Sequence, residues 1–125
     1  MHNCGGCPVK ENIIWNKSYA FAVRIVKLRR YLKEEKQEYI ISAQVCKSGT
    51  SICANVTEAQ RAQSRADFTA KLNIALKEAQ ETLMWLQLLY DTEYVDRVAY
   101  ESLHRDACEL VRILGAICKK LPQKS

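Results

Sequence analysis

Glycine and proline are nearly missing from the interior of this 125-residue chain: no proline lies between Pro8 and Pro122, and only Gly49 and Gly115 fall in that span. These residues punctuate strands and break helices, so their scarcity argues for long helices. No apolar run approaches the ~20 residues of a membrane-spanning helix, and a membrane role is not expected. The opening MHNCGGCPVKENII has no basic segment followed by an apolar stretch, so it does not read as a secretory signal. A cytoplasmic protein is the expectation. The patterns G-x-x-x-x-G-K-[ST], G-x-S-x-G and H-E-x-x-H are absent as well. No catalytic residue and no cofactor are assigned, and the chain reads as a non-enzyme.

Helical periodicity is what the chain has in quantity. Apolar residues make up 48% of it, enough for one core, and the length suits one domain. Residues 1–11 read as a flexible N-terminal arm, 12–121 as the folded domain and 122–125 as a tail. The first helix is predicted over about Asn12–Glu35, where Ile14, Phe21 and Leu28 recur every seven residues beside a row of Ser18, Ile25 and Leu32. The second is predicted over about Lys36–Gln63, with Ile41, Val45, Ile52, Val56 and Ala59 inward. Gly49 near its middle points to a close helix contact or a slight bend.

The third helix follows alternating steps of four and three through Phe68, Leu72, Ala75, Ala79, Thr82, Leu86 and Leu89. Ser64 is its expected N-cap, with Asp67 in the acidic place three residues on. Asp91-Thr92-Glu93 connects to a fourth helix beginning near Glu93 or Tyr94, which carries Leu103, Ala107, Leu110, Leu114, Ile117 and Leu121 and stops at Pro122. Connections this short force neighbours to run antiparallel. The expected fold is therefore all-α, an antiparallel up-down-up-down four-helix bundle.

Cysteine is present six times. Cys46, Cys53, Cys108 and Cys118 fall inside helical patterns and read as small buried hydrophobes in a reducing compartment. His2, Cys4 and Cys7 could supply up to three metal ligands, but a structural zinc site needs four and no second Cys pair has suitable spacing. His104 is the other histidine. With Glu101 three residues before it, and Glu78 and Glu81 on the third helix, it raises a di-metal carboxylate site, but the required second Glu-x-x-His is lacking. No metal is assigned. The tryptophans and tyrosines mostly fall at helical spacing and read as packing residues.

Two surface features remain. Gln44, Ser48, Ser51, Asn55 and Glu58 form a polar row beside the apolar face of the second helix. It reads either as an ordinary solvated side, or as a groove or hydrogen-bonding network that fixes register. The second feature is charge. The net charge is +5, and residues 1–65 hold 11 Lys/Arg against 5 Asp/Glu, whereas residues 66–125 hold 8 against 9. Arg24, Lys27, Arg29, Arg30, Lys33 and Lys36 cluster at the end of the first helix, with Lys47, Arg61 and Arg65 as additions. Such groups suit a phosphate backbone, although Glu34, Glu35 and Glu38 interrupt the run.

The stretch SAQVCKSGTSICANVTEAQRAQSRADFTAKLNIALKEAQETL resembles the four-helix bundle proteins encoded in intervening sequences of bacterial large-subunit ribosomal RNA genes. Gln44, Lys47, Ser51, Ile52, Asn55, Val56 and Glu58 carry the first part of that pattern; Phe68, Leu72, Ile74, Ala75 and Glu81 carry the second. Ala59 stands where the family has glycine, and Cys46 replaces one of its usual basic pair. The resemblance spans about residues 12–121 and implies an up-down bundle that self-associates, as a ring-like homopentamer. It extends to the accessory protein of diversity-generating retroelements, which implies binding of RNA or single-stranded DNA through a basic surface and partnership with a reverse transcriptase. On that basis Arg24, Lys27, Arg29, Arg30, Lys33, Lys47, Arg61 and Arg65 are the expected phosphate contacts. Gln44, Ser51, Asn55, Glu58 and Glu81 are the expected structural or interface residues. The alternative is a protein-binding adaptor or scaffold without nucleic-acid binding.

Overall fold

Among the described residues four helices form, and each stops where the backbone or a cap stops it. In the computed structural model, which describes residues 12–121, α1 spans Ile13–Lys36, α2 Ile41–Gln60, α3 Arg65–Asp91 and α4 Arg97–Lys120. The expected arm and tail lie outside the described residues, as do His2, Cys4 and Cys7. Ser64 caps α3 by accepting from the Asp67 N–H at 3.0 Å, the cap expected from its sequence.

Three boundaries differ from the sequence reading. α2 begins at Ile41 rather than Lys36, because Gln37 adopts the left-handed conformation (φ 51°) and closes α1. Glu38 then folds back over the start of α2. Its carboxylate accepts from the N–H groups of Ile40 (3.2 Å), Ile41 (2.9 Å) and Ser42 (2.6 Å). A negative charge there satisfies orphan donors and opposes the positive helix end. α4 begins at Arg97 rather than Glu93 or Tyr94, because Glu93 is left-handed (φ 68°) and Asp96 supplies the cap, accepting from the Ala99 N–H at 2.8 Å. α2 also ends earlier, at Gln60.

Pairings between helices give the topology. Trp15 donates to Thr57 Oγ1 at 2.8 Å while Ile25 lies against Gly49, so α1 and α2 run antiparallel. Ser48 meets Thr82 (2.8 Å) and Lys71 meets Glu58 (3.0 Å), which sets α3 antiparallel to α2. Arg24 pairs with Asp106 and Lys17 with Glu109, which closes α4 against α1. The result is the up-down-up-down bundle. α1 and α4 approach each other less closely than the other neighbouring pairs.

The core is the predicted set of stripes: Phe21, Ile25 and Leu32 from α1, Val45, Ile52 and Val56 from α2, Leu86 and Leu89 from α3, and Leu110 and Leu114 from α4 are all nearly inaccessible. Gly49 marks a close contact. A Cβ there would lie 2.9 Å from both Cγ atoms of Ile25. Cys53 and Cys118 are buried, while Cys46 and Cys108 are half-buried at the edges.

Candidate nucleic-acid interface

A residue advances about 100° around a helix, so six cations packed into thirteen positions of α1 cannot share one face. The structure divides them. Arg24 turns toward α4, where its guanidinium bonds the Asp106 carboxylate at 2.6 Å and Ser102 Oγ at 3.0 Å. That makes it a clamp between two helices rather than a free phosphate contact. Arg29 turns the other way and is half-buried, with its Nε sealed from solvent. Lys27, Arg30 and Lys33 are exposed and form no ion pair with the described residues.

Lys47 is exposed on α2 and acts electrostatically on Glu78 of α3. Arg61 and Arg65 are exposed at the α2–α3 turn. This turn lies at the opposite end of the bundle from Arg30 and Lys33, roughly 30 Å along the axis at ~1.5 Å per residue. The eight expected contacts therefore form no single patch within one subunit.

The polar row of α2 faces the α2–α3 seam, and its members do different things. Ser48, fully buried, meets Thr82 Oγ1 at 2.8 Å, and Thr82 donates onward to the Glu78 carbonyl at 2.8 Å. Glu58 holds Lys71 at 3.0 Å, which raises the lysine pKa, chiefly through that hydrogen bond. Asn55 is half-buried and donates to the Ser51 carbonyl of its own helix at 2.8 Å. Gln44 and Glu81 are exposed, and Glu81 accepts from Trp85 Nε1 at 3.0 Å. Burial, followed by the neighbouring Glu81 charge, pushes the Glu78 carboxyl above its ordinary value, and Lys47 partly offsets this.

This arrangement of Gln44, Ser51, Asn55 and Glu58 against the Phe68–Glu81 segment lies inside a matched region: the chain matches the 23S rRNA-intervening sequence protein family over residues 10–116. The chain belongs to that family. A crystal structure of a similar protein supports the fold. That relative, from Bacteroides thetaiotaomicron, is described as a protein of unknown function from the S23 ribosomal protein family. It is 53% identical, covers 86% of this chain and 100% of its own, and superposes with a TM-score of 0.85. No curated protein matches the chain. Neither description names a reaction.

Against this family background, α4 contributes cations that the sequence reading left out. Arg105, Arg112 and Lys119 are exposed and spaced by seven, a signal legible as one outward row. Among the described residues, no group of three or more His, Cys, Asp or Glu could hold a metal ion. Glu101 pairs with Arg97 at 2.9 Å, and His104 Nδ1 lies 3.5 Å from Cys108 Sγ. The aromatic rings mostly pack: Trp15 stacks on Tyr19 (5.0 Å) and Tyr90 on Tyr100 (4.5 Å). No helix of the described residues is long and apolar enough to cross a membrane.

Proposed function

We propose that this intervening-sequence family member is a non-enzymatic, homo-oligomeric accessory protein that binds RNA or single-stranded DNA. The observation that carries the reading is exposed cationic charge outside ion pairs. Lys27, Arg30, Lys33, Arg61 and Arg65 are exposed and form no ion pair among the described residues, and Lys47 is exposed with only a longer-range interaction with Glu78. Cations held this way release counterions from a polyanion on binding, which favours association without sequence readout. The relative's description as a member of a ribosomal protein family accords with an RNA partner.

Self-association has its own support on α1. Tyr19, Val23 and Val26 lie at steps of four and three on the outward side and are 49%, 38% and 42% exposed. A second copy packed there would dry this strip, and a ring-like pentamer would multiply the cations and raise avidity without new contacts per subunit. In this reading a reverse transcriptase of a diversity-generating retroelement is the further partner, and Asn55 and its row hold the subunit in shape for assembly.

One observation favours the adaptor as a second reading. A groove of about 480 Å³ separates α1 from α4 and is lined by Leu28, Tyr31, Val95, Ala99 and Leu103 with Arg24, Lys27 and Asp96 at its margin. A protein segment could dock there.

The two readings separate in one experiment: binding of RNA and single-stranded DNA across a salt series, with mass measured in the same buffers. An oligomer whose affinity falls steeply with salt is the expected result. A stable oligomer that binds neither at low salt would overturn the nucleic-acid reading and leave the adaptor.

A further inference from the structure

The surface charge of this bundle is not distributed as its sequence charge is. α4 carries three carboxylates: Glu101, on the outward side and paired with Arg97, and Asp106 and Glu109, which both face α1. Arg24 neutralises Asp106 at 2.6 Å and Lys17 neutralises Glu109 at 3.0 Å. Two cations from the basic half of the chain thus cancel two acids of the other half. What remains on α4 is the outward row Arg105, Arg112 and Lys119, with Lys120 beside it; all four are exposed, and none forms an ion pair with a described residue.

The row runs into a basic end. Arg61 and Arg65 sit at the α2–α3 turn, which shares that end of the bundle with the last turns of α4. Around it, residues 57–72 and 110–121 hold six Lys/Arg against Glu58 and Asp67, and Glu58 is already paired with Lys71. The opposite end differs. Residues 29–44 and 89–101 hold five Lys/Arg against seven Asp/Glu, so the field of Arg29, Arg30 and Lys33 is opposed by nearby acids.

We infer that the outer face of α4, Arg105–Arg112–Lys119, together with Arg61 and Arg65 at the same end of the bundle, is the principal track for the phosphate backbone of a single-stranded RNA, ahead of the α1 cations. The inference rests on the nucleic-acid reading above and assigns its surface. The shape supports a linear polyanion. Three cations in line span about 21 Å at ~1.5 Å per residue, too long for one phosphate and suited to a chain of them. Guanidinium groups supply two of the three positions in the row and form bidentate contacts with phosphate oxygens. The track consists of Lys and Arg side chains directed at phosphate, so binding is chiefly electrostatic and tolerant of sequence.

The test uses the full chain, a fluorescein-labelled oligouridylate of about twenty nucleotides, and two variants that remove equal charge. One is Arg105→Gln/Arg112→Gln/Lys119→Gln; the other is Lys27→Gln/Arg30→Gln/Lys33→Gln. All six residues are exposed, and circular dichroism and mass should match wild type. The α4 variant is expected to weaken binding about tenfold or more at low salt and to lower the salt-dependence slope by about 2. The α1 variant should change affinity by no more than about threefold. Equal losses, or a larger loss from the α1 variant, would overturn the α4 assignment while leaving the nucleic-acid reading intact. Wild type that fails to bind the oligonucleotide at low salt would overturn both. Wild type that ignores the oligonucleotide but binds phosphatidylserine vesicles through the α4 row would move the track to a membrane surface and sink the inference.

Discussion

Gly49 shows how a single position can carry two opposing energies. Glycine inside a helix costs ~1 kcal/mol relative to alanine, so Gly49→Ala would stabilise an exposed helix. Here the new methyl would meet Ile25 at 2.9 Å, and Ile25 is fully buried and branched at Cβ, so it cannot swing aside. Overpacking of this kind costs ~1–3 kcal/mol. Gly49→Ala should therefore lower stability to urea, and the loss should shrink in an Ile25→Ala background, where the clashing atoms are gone. The sequence carried the hint of close contact, but only the fold names Ile25. Glu78 makes a pH prediction at the same scale. Its folded pKa lies above the ordinary 4.5 because burial disfavours the charge. The native state then holds that proton more tightly than the unfolded chain. Its contribution to stability is fully present below the ordinary glutamate value and is lost as pH rises through the raised one. Glu78→Gln should flatten that part of the pH–stability curve, measured by urea denaturation at several pH values.

Helices were legible where their stripes and caps were local. α3 is the clearest, since Ser64 caps it as read and its four-three steps from Leu72 to Leu89 are the buried set, with Phe68 half-buried at the start. The start of α2 was not legible, because Gln37 and Glu38 are neither glycine nor proline nor a usual N-cap residue. Glu38 works only because the chain reverses and aims its carboxylate at three N–H groups. Glu38→Ala should cost about 1–3 kcal/mol and fray the first turn of α2, seen as faster amide exchange at Ile40–Ser42. The α1–α4 seam makes a second element-scale prediction. Arg24 ties both helices where they approach least closely. The pair is partly exposed, so Arg24→Gln should destabilise by only about 1 kcal/mol. It should leave RNA affinity within about twofold of wild type, since its charge is already neutralised. A large loss of RNA affinity without a loss of stability would return Arg24 to the phosphate surface.

At the scale of the molecule, assembly and charge act together. If the Tyr19–Val23–Val26 strip is an inter-subunit surface, Val23→Glu places a charge in it and should lower the mass toward that of a monomer. The monomer should keep its helicity and its melting temperature within a few degrees but lose RNA affinity by about ten- to a hundredfold, because avidity is gone. Mass photometry and the same oligonucleotide titration check this. Unchanged mass would move the subunit interface elsewhere on the bundle.

The all-α class, the four stripes and the antiparallel order were readable in the chain, because helical periodicity and short connections are local properties of sequence and constrain neighbouring helices strongly. The family pattern around Asn55 and Glu58 was readable for the same reason: its residues lie within a few turns of one another. Charge was readable only as a total. Which cations stay free depends on carboxylates that are distant in sequence and near in space, as Asp106 is to Arg24 and Glu109 to Lys17. Coulomb interactions follow distance in three dimensions, and the bundle sets those distances when it brings α4 against α1. The basic half of the sequence is thereby partly neutralised, and the outward row of α4 is left as free positive surface.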